Sequence, residues 1–261
     1  MAGKIITITS GKGGVGKTTS TANLGICLAM LGYQVACIDA DIGLRNLDVM
    51  MGLENRIVYD LINYIEGRCR LKQALVRDKR FPDLFLMPAA QTRDKNAISV
   101  EDMTRVAKET AELVDFVLID SPAGIEHGFR YAVNPADLVL IVTNPEVTAV
   151  RDADRVIGLL EAEEWAPSKL IINRFKPELV RRNEMLDSDT VVDLLAIDLI
   201  GIIPEDEGIL SASNRGQPVA LNERSPAGLA FRDTARRLTG EDIPLEVHQK
   251  QSFLQRLFGA G

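Results

Sequence analysis

The chain is poor in the residues that most often mark covalent, metal or redox chemistry. It has three cysteines and two histidines in 261 residues. Cys27, Cys37 and Cys69 are odd in number and form no C-x-x-C pair, which argues against a disulfide framework and against a zinc or iron–sulfur site. His127 and His248 are too far apart for an H-E-x-x-H helix, and no G-x-S-x-G nucleophile elbow is present. Aromatic residues are scarce at 5%, with one tryptophan. Apolar runs such as Leu138–Val142 are no longer than a strand, so no transmembrane helix is expected. The start enters a strand-like run, Ile5 to Thr9, with no apolar leader region, which counts against secretion. Net charge is −7, which disfavours general nucleic-acid binding.

What is present is an alternation of apolar β-type runs with amphipathic stretches. Strands are expected at Ile5–Thr9, Gln34–Asp39, Leu84–Met87, Phe116–Asp120, Leu138–Thr143, Lys169–Asn173 and Leu199–Ile203. Helical patterns include Thr18–Leu31, closed by Gly32 as a C-terminal cap, Val100–Leu113, Val147–Glu163 and Ala227–Leu238. Near-continuous apolar strands suit a mostly parallel sheet covered on both faces. The βαβ rhythm predicts an α/β fold with a single doubly wound sheet. Without a repeat or a Pro/Gly-rich linker, residues 1–244 form one domain, and 245–261 a tail.

Gly11-Lys12-Gly13-Gly14-Val15-Gly16-Lys17-Thr18, followed by Thr19, fits G-x-x-x-x-G-K-[ST]. Glycines let successive N–H groups curl around a phosphate, and the next helix presents its positive end to the same anion. Lys17 is placed to reach the β- and γ-phosphates, and the Thr18 hydroxyl to join a Mg²⁺ shell. Phe116-Val117-Leu118-Ile119-Asp120 is an apolar strand ending in an acid that would hold Mg²⁺. Ser121 to Gly124 then turns tightly where a γ-phosphate could be sensed. Asp39 and Asp41 follow the second strand, at the carboxyl end where doubly wound sheets collect ligands. A carboxylate there could orient water; a D-x-D phosphatase nucleophile is the competing reading.

The second lysine, Lys12, makes the loop resemble the deviant phosphate loop of the MinD/ParA class of ATPases. Asp39 to Asp48, Asp120 to Glu126, Thr143 to Val147 and Ile203 to Asp206 are similar to its septum-placing MinD branch, and the resemblance runs over nearly the whole chain. It implies a Mg²⁺-dependent ATPase that forms a homodimer on ATP. Lys12 would reach the partner subunit's phosphates, and Asp41 would orient the attacking water and share the metal. Asn173, Pro204, Glu205 and Asp206 would recognise the base. Asn46 would lie near the dimer interface, and Arg151, Asp152 and Asp154 on a partner-binding helix face. Such an ATPase cycles between cytoplasm and the cytoplasmic face of the inner membrane. It recruits MinC, an inhibitor of FtsZ-ring assembly, and is released by MinE or another topological factor.

The tail resembles the membrane-targeting sequence of the same branch. Phe253, Leu257, Leu254 and Phe258 span an arc of about 140° at ~100° per residue, with Lys250 and Arg256 as its cations. Burying four such side chains is worth on the order of 6–12 kcal/mol. Ordering about eight residues costs a comparable amount. One tail should therefore hold a membrane only marginally, and two on one dimer far better. A ParA-like ATPase whose dimer coats DNA without sequence preference is the alternative, and it would require clustered cations.

Overall fold

In the computed structural model, which describes residues 2–91 and 98–248, the strands are β1 (Lys4–Thr9), β2 (Val35–Asp39), β3 (Val76–Arg77), β4 (Leu84–Met87), β5 (Phe116–Asp120), β6 (Leu138–Thr143), β7 (Ser168–Phe175) and β8 (Leu199–Pro204). The helices are α1 (Lys17–Met30), α2 (Leu47–Met51), α3 (Leu61–Ile65), α4 (Leu71–Ala74), α5 (Val100–Ala111), α6 (His127–Val133), α7 (Val147–Ala162), α8 (Pro177–Arg181), α9 (Ser188–Leu195), α10 (Gly208–Ser213) and α11 (Pro226–Leu238). One sheet runs β3-β4-β2-β5-β1-β6-β7-β8. Its pairs are parallel except β3 with β4.

The period of two along each strand decides which layer it feeds. Ile6 and Ile8 of β1, Cys37 of β2 and Leu118 of β5 join a core with Leu24, Leu28 and Phe231 of α1 and α11. Ile5, Ile38, Val117 and Ile119 point the other way, onto Met103, Val106 and Tyr131 of α5 and α6. Val139, Ile141, Leu170 and Ile172 meet α7 and α9 through Val150, Val156, Ile157 and Val191. Helices thus cover both faces, as near-continuous apolar strands require.

β1 lies between β5 and β6, where the winding changes direction and a crevice opens at the carboxyl edge. α1 is buried nearly all round from Ser20 to Leu28, between the sheet and α11. It ends in a Schellman motif: Gly32 takes φ 90° and donates to Ala29 O, and Tyr33 N donates to Leu28 O. That turn sends the chain directly into β2.

Past α11 the chain doubles back along it. The Arg237 guanidinium donates to the carbonyls of Ile243 and Pro244, and His248 Nε2 lies 2.7 Å from Asp233 Oδ2. The described chain therefore ends near Pro226, at the carboxyl edge of the sheet. The tail expected to be an amphipathic helix, with Lys250, Phe253, Leu254, Arg256, Leu257 and Phe258, lies outside the described residues. No helix among the described residues is long and apolar enough to cross a membrane.

Candidate functional site

Residues 10–16 connect β1 to α1. Gly14 and Gly16 adopt φ 78° and 106°, a left-handed region that side chains rarely enter. Ser10 Oγ donates to Lys12 O at 2.8 Å and accepts from Lys17 Nζ at 3.1 Å, which folds the loop over its own lysine. No side chain caps α1, whose N-cap is Gly16. Its first N–H groups face the loop as an anion cradle strengthened by the helix dipole. Gly11 lies so close to α7 that a Cβ there would fall 2.1 Å from Asp152 O. Lys12 is exposed, whereas Lys17 is buried.

Two carboxylates, Asp120 and Asp41, act on Lys17, and a third, Asp39, adjoins Asp120. Asp39 and Asp120 are register partners on β2 and β5, and both are buried. Burial raises the Asp120 pKa, Thr18 and Lys17 oppose it, and the balance falls at about 7. Burial and the charge of Asp120 push Asp39 well above the usual carboxylate range. Burial lowers the Lys17 pKa against the pull of Asp120 and Asp41. Asp39 is spent on architecture: it accepts from Asp41 N at 3.0 Å and Leu47 N at 3.3 Å, shaping the turn into α2. Asp41, half-buried, is the acid of this pair that lines a cavity, about 100 Å³ in volume, with Pro122, Ala123 and Tyr131. Gly124 N donates to Ser10 O at 3.3 Å, joining the turn after β5 to the phosphate loop.

The oxygen-rich set of Thr18, Asp120 and Asp41 fits Mg²⁺ supplied with a nucleotide. No group of three or more His, Cys, Asp or Glu among the described residues could hold a metal alone. Mg²⁺ characteristically completes its shell with phosphate oxygens and water.

Asn173, two residues before the end of β7, donates from its Nδ2 to Val15 O at 2.7 Å. A Cβ on Gly16 would lie 2.2 Å from that nitrogen, so the glycine is required by contact as well as by φ. The Asn173 Oδ1 is buried with no partner among the described residues. Nearby, Phe175, Lys176, Pro204, Glu205, Pro226 and His248 line a cavity of about 410 Å³. Asp206 is committed to the frame of this loop, accepting from Ser225 Oγ at 2.6 Å and Gly208 N at 2.9 Å. Ser225 in turn caps α11.

The remaining expected positions lie around the same edge. Asn46 is the exposed N-cap residue of α2. Arg151 and Asp154 are exposed on α7 and border a groove of about 260 Å³ with Val147, Val150, Leu186 and Leu194. Asp152 is half-buried, 3.6 Å from Arg155. Motif reading missed Ser10, which precedes the pattern, and Tyr131, whose hydroxyl donates to the backbone carbonyl of Ala40 at 2.7 Å. A contact to backbone leaves no signature in residue type at either end.

The comparisons with known proteins agree with this geometry. The CobQ/CobB/MinD/ParA nucleotide binding domain family matches residues 6–219. The septum site-determining protein MinD of Bacillus subtilis is 53% identical over 252 residues, 96% of this chain and 94% of that one. Escherichia coli MinD is 46% identical over 267 residues, 98% and 99% of the two chains. The MinC:MinD complex of Aquifex aeolicus superposes with a TM-score of 0.89 at 53% identity, covering 94% of this chain and 99% of that chain. MinD of Pyrococcus horikoshii, complexed with Mg-ADP, gives 0.82 at 28% identity, covering 90% and 95%. A buried lysine in a glycine loop and strand-end carboxylates stand here on a doubly wound sheet, relatives about half identical cover nearly the whole chain, and the chain belongs to the MinD proteins of the CobQ/CobB/MinD/ParA nucleotide-binding family.

Proposed function

We propose that this chain is a Mg²⁺-dependent ATPase of septum placement, which pairs with a second copy on ATP, holds the membrane through its tail and brings MinC there. The observation that carries the nucleotide reading is the loop itself, with Lys17 buried among carboxylates and α1 left uncapped. The unpartnered buried acceptor of Asn173 supports adenine, because adenine offers an exocyclic amine donor at N6. Pro204 and Glu205 line the adjoining cavity, with Asp206 holding their loop in shape.

Thr18 and Asp120 would hold the ion with Asp41, and Mg²⁺ would supply charge neutralisation on the phosphates. Lys17 binds the phosphates, Asp41 orients water, and the exposed Lys12 reaches across to a second copy. In-trans cations stabilise the transferring phosphoryl only once the subunits have met. Leu44 and Ile125 are exposed on the loops after β2 and β5 and Val147 at the start of α7, an apolar fringe suited to cover by that second copy. Arg151, Asp152 and Asp154 on α7 are the surface we assign to MinC, the partner in the Aquifex aeolicus complex. MinE, or another factor, would accelerate hydrolysis and release the tail.

ATPase turnover with and without vesicles, run beside Lys12→Ala and a gel shift on non-specific DNA, tests this reading. The expected result is ATP-dependent sedimentation with vesicles, little DNA binding at physiological salt, and loss of turnover in Lys12→Ala. Equal vesicle binding with ADP and ATP, or a strong salt-dependent DNA shift, refutes it.

A further inference from the structure

The turn that carries Asp41 is held from outside its own strand. Ala40 N donates to Asp120 O at 3.0 Å, and Asp41 N to Asp39 Oδ1. The Ala40 carbonyl accepts from Ile42 N at 3.1 Å and from the Tyr131 hydroxyl at 2.7 Å. Tyr131 is therefore the one side chain from another element that grips the peptide directly preceding Asp41, among the described residues.

The residue is well placed for that. Its side chain is fully buried in α6, and α6 is pinned to the sheet by Thr7 Oγ1 donating to Ala132 O at 2.6 Å. The His127 ring packs edge-on against it at 5.5 Å, with Nε2 3.0 Å from Ile98 O. Burial pushes the phenol pKa up, so the hydroxyl remains a donor across the working pH range. Tyr131 and Asp41 also wall the same cavity of about 100 Å³, with Pro122, Ala123, Glu126 and His127. That is room for about three waters.

We propose that Tyr131 is a positioning residue for hydrolysis, setting the Asp41 carboxylate through the carbonyl of Ala40. The inference rests on the reading that Asp41 orients the attacking water. The hydroxyl bonds one backbone carbonyl and no group of the phosphate loop or the base cavity, so its effect is expected on hydrolysis rather than on nucleotide affinity. Its effect belongs to the chemical step, and it should vanish when the carboxylate it sets is gone.

The experiment is a cycle in the full-length chain of Tyr131→Phe, Asp41→Ala and the double variant, by single-turnover Mg-ATP hydrolysis, with affinity for a non-hydrolysable analogue and the thermal midpoint measured beside it. Tyr131→Phe should slow hydrolysis about five- to tenfold, with affinity unchanged within about twofold. In the Asp41→Ala background the same substitution should cost nothing further. Turnover lost in Asp41→Ala but intact in Tyr131→Phe overturns this inference alone. Turnover that survives Asp41→Ala removes the reading of Asp41, and the inference with it. Equal losses in both backgrounds, weakened analogue binding or an unfolded Tyr131→Phe would make the hydroxyl structural and likewise overturn the proposal.

Discussion

Asp120 concentrates the electrostatics of the site. Burial raises its pKa from the ordinary 3.8 to about 7, and its neighbour Asp39 is raised as well. The folded chain thus holds a proton that the unfolded chain has released between about pH 4 and 7. The stabilisation this gives is fully present below the unfolded value and is lost as pH rises through 7. The thermal midpoint of the nucleotide-free protein should therefore fall between pH 5 and pH 8, and Asp120→Asn should flatten that slope. A wild-type midpoint no lower at pH 8 than at pH 5 would contradict the assignment. At this scale Lys17, Thr18 and Asp120 were legible, because fixed spacing places them whatever the rest of the chain does. A role for Asn173 was suggested by resemblance alone, and its grip on Val15 was not legible, since that contact joins residues 158 apart. The structural use of Asp39 was hidden because two aspartates one residue apart look alike in sequence.

Elements were read as well as their length allowed. Leu84–Met87, Phe116–Asp120 and Leu138–Thr143 have the bounds expected of them. β7 runs on to Phe175, past the Asn173 expected to end it, because its last residues pair irregularly with β8 up to Pro204. The two-residue edge strand β3 and the short helices α2, α3, α4 and α8 are below the length at which any period shows. β3 nonetheless introduces a latch. Asp78, fully buried, accepts from Arg80 at 2.6 Å, and the Arg80 guanidinium also donates to Met51 O and Gly216 O. Burial would raise the Asp78 pKa, but the hydrogen bonds from Arg80 bring it below the ordinary value. This pair ties α2 to the segment after α10 where Gly52 and Gly216 touch backbone to backbone. Arg80→Met should cost about 2–4 kcal/mol, because it strands a buried carboxylate. Denaturant unfolding measures it, and a loss below about 0.5 kcal/mol would show the latch to be idle.

Across the whole molecule, the doubly wound sheet was legible because parallel strands buried on both faces carry no polar alternation. The division of helices among three core clusters was not, since it depends on strand order rather than on any one segment. Strand order also decides where the described chain ends. Arg237 and Asp233 lead residues 243–248 back to the rim that holds the base cavity, and His248 is part of its wall. From there to Phe253, the first of the large apolar residues, five peptide links reach at most about 17 Å. A tether so short would moor the protein with its nucleotide doorway turned toward the lipid headgroups. Traffic through that doorway should then slow: release of a fluorescent ADP analogue from vesicle-docked protein is expected to lag behind release from protein in free solution. Matching release rates would mean the mooring leaves the doorway open.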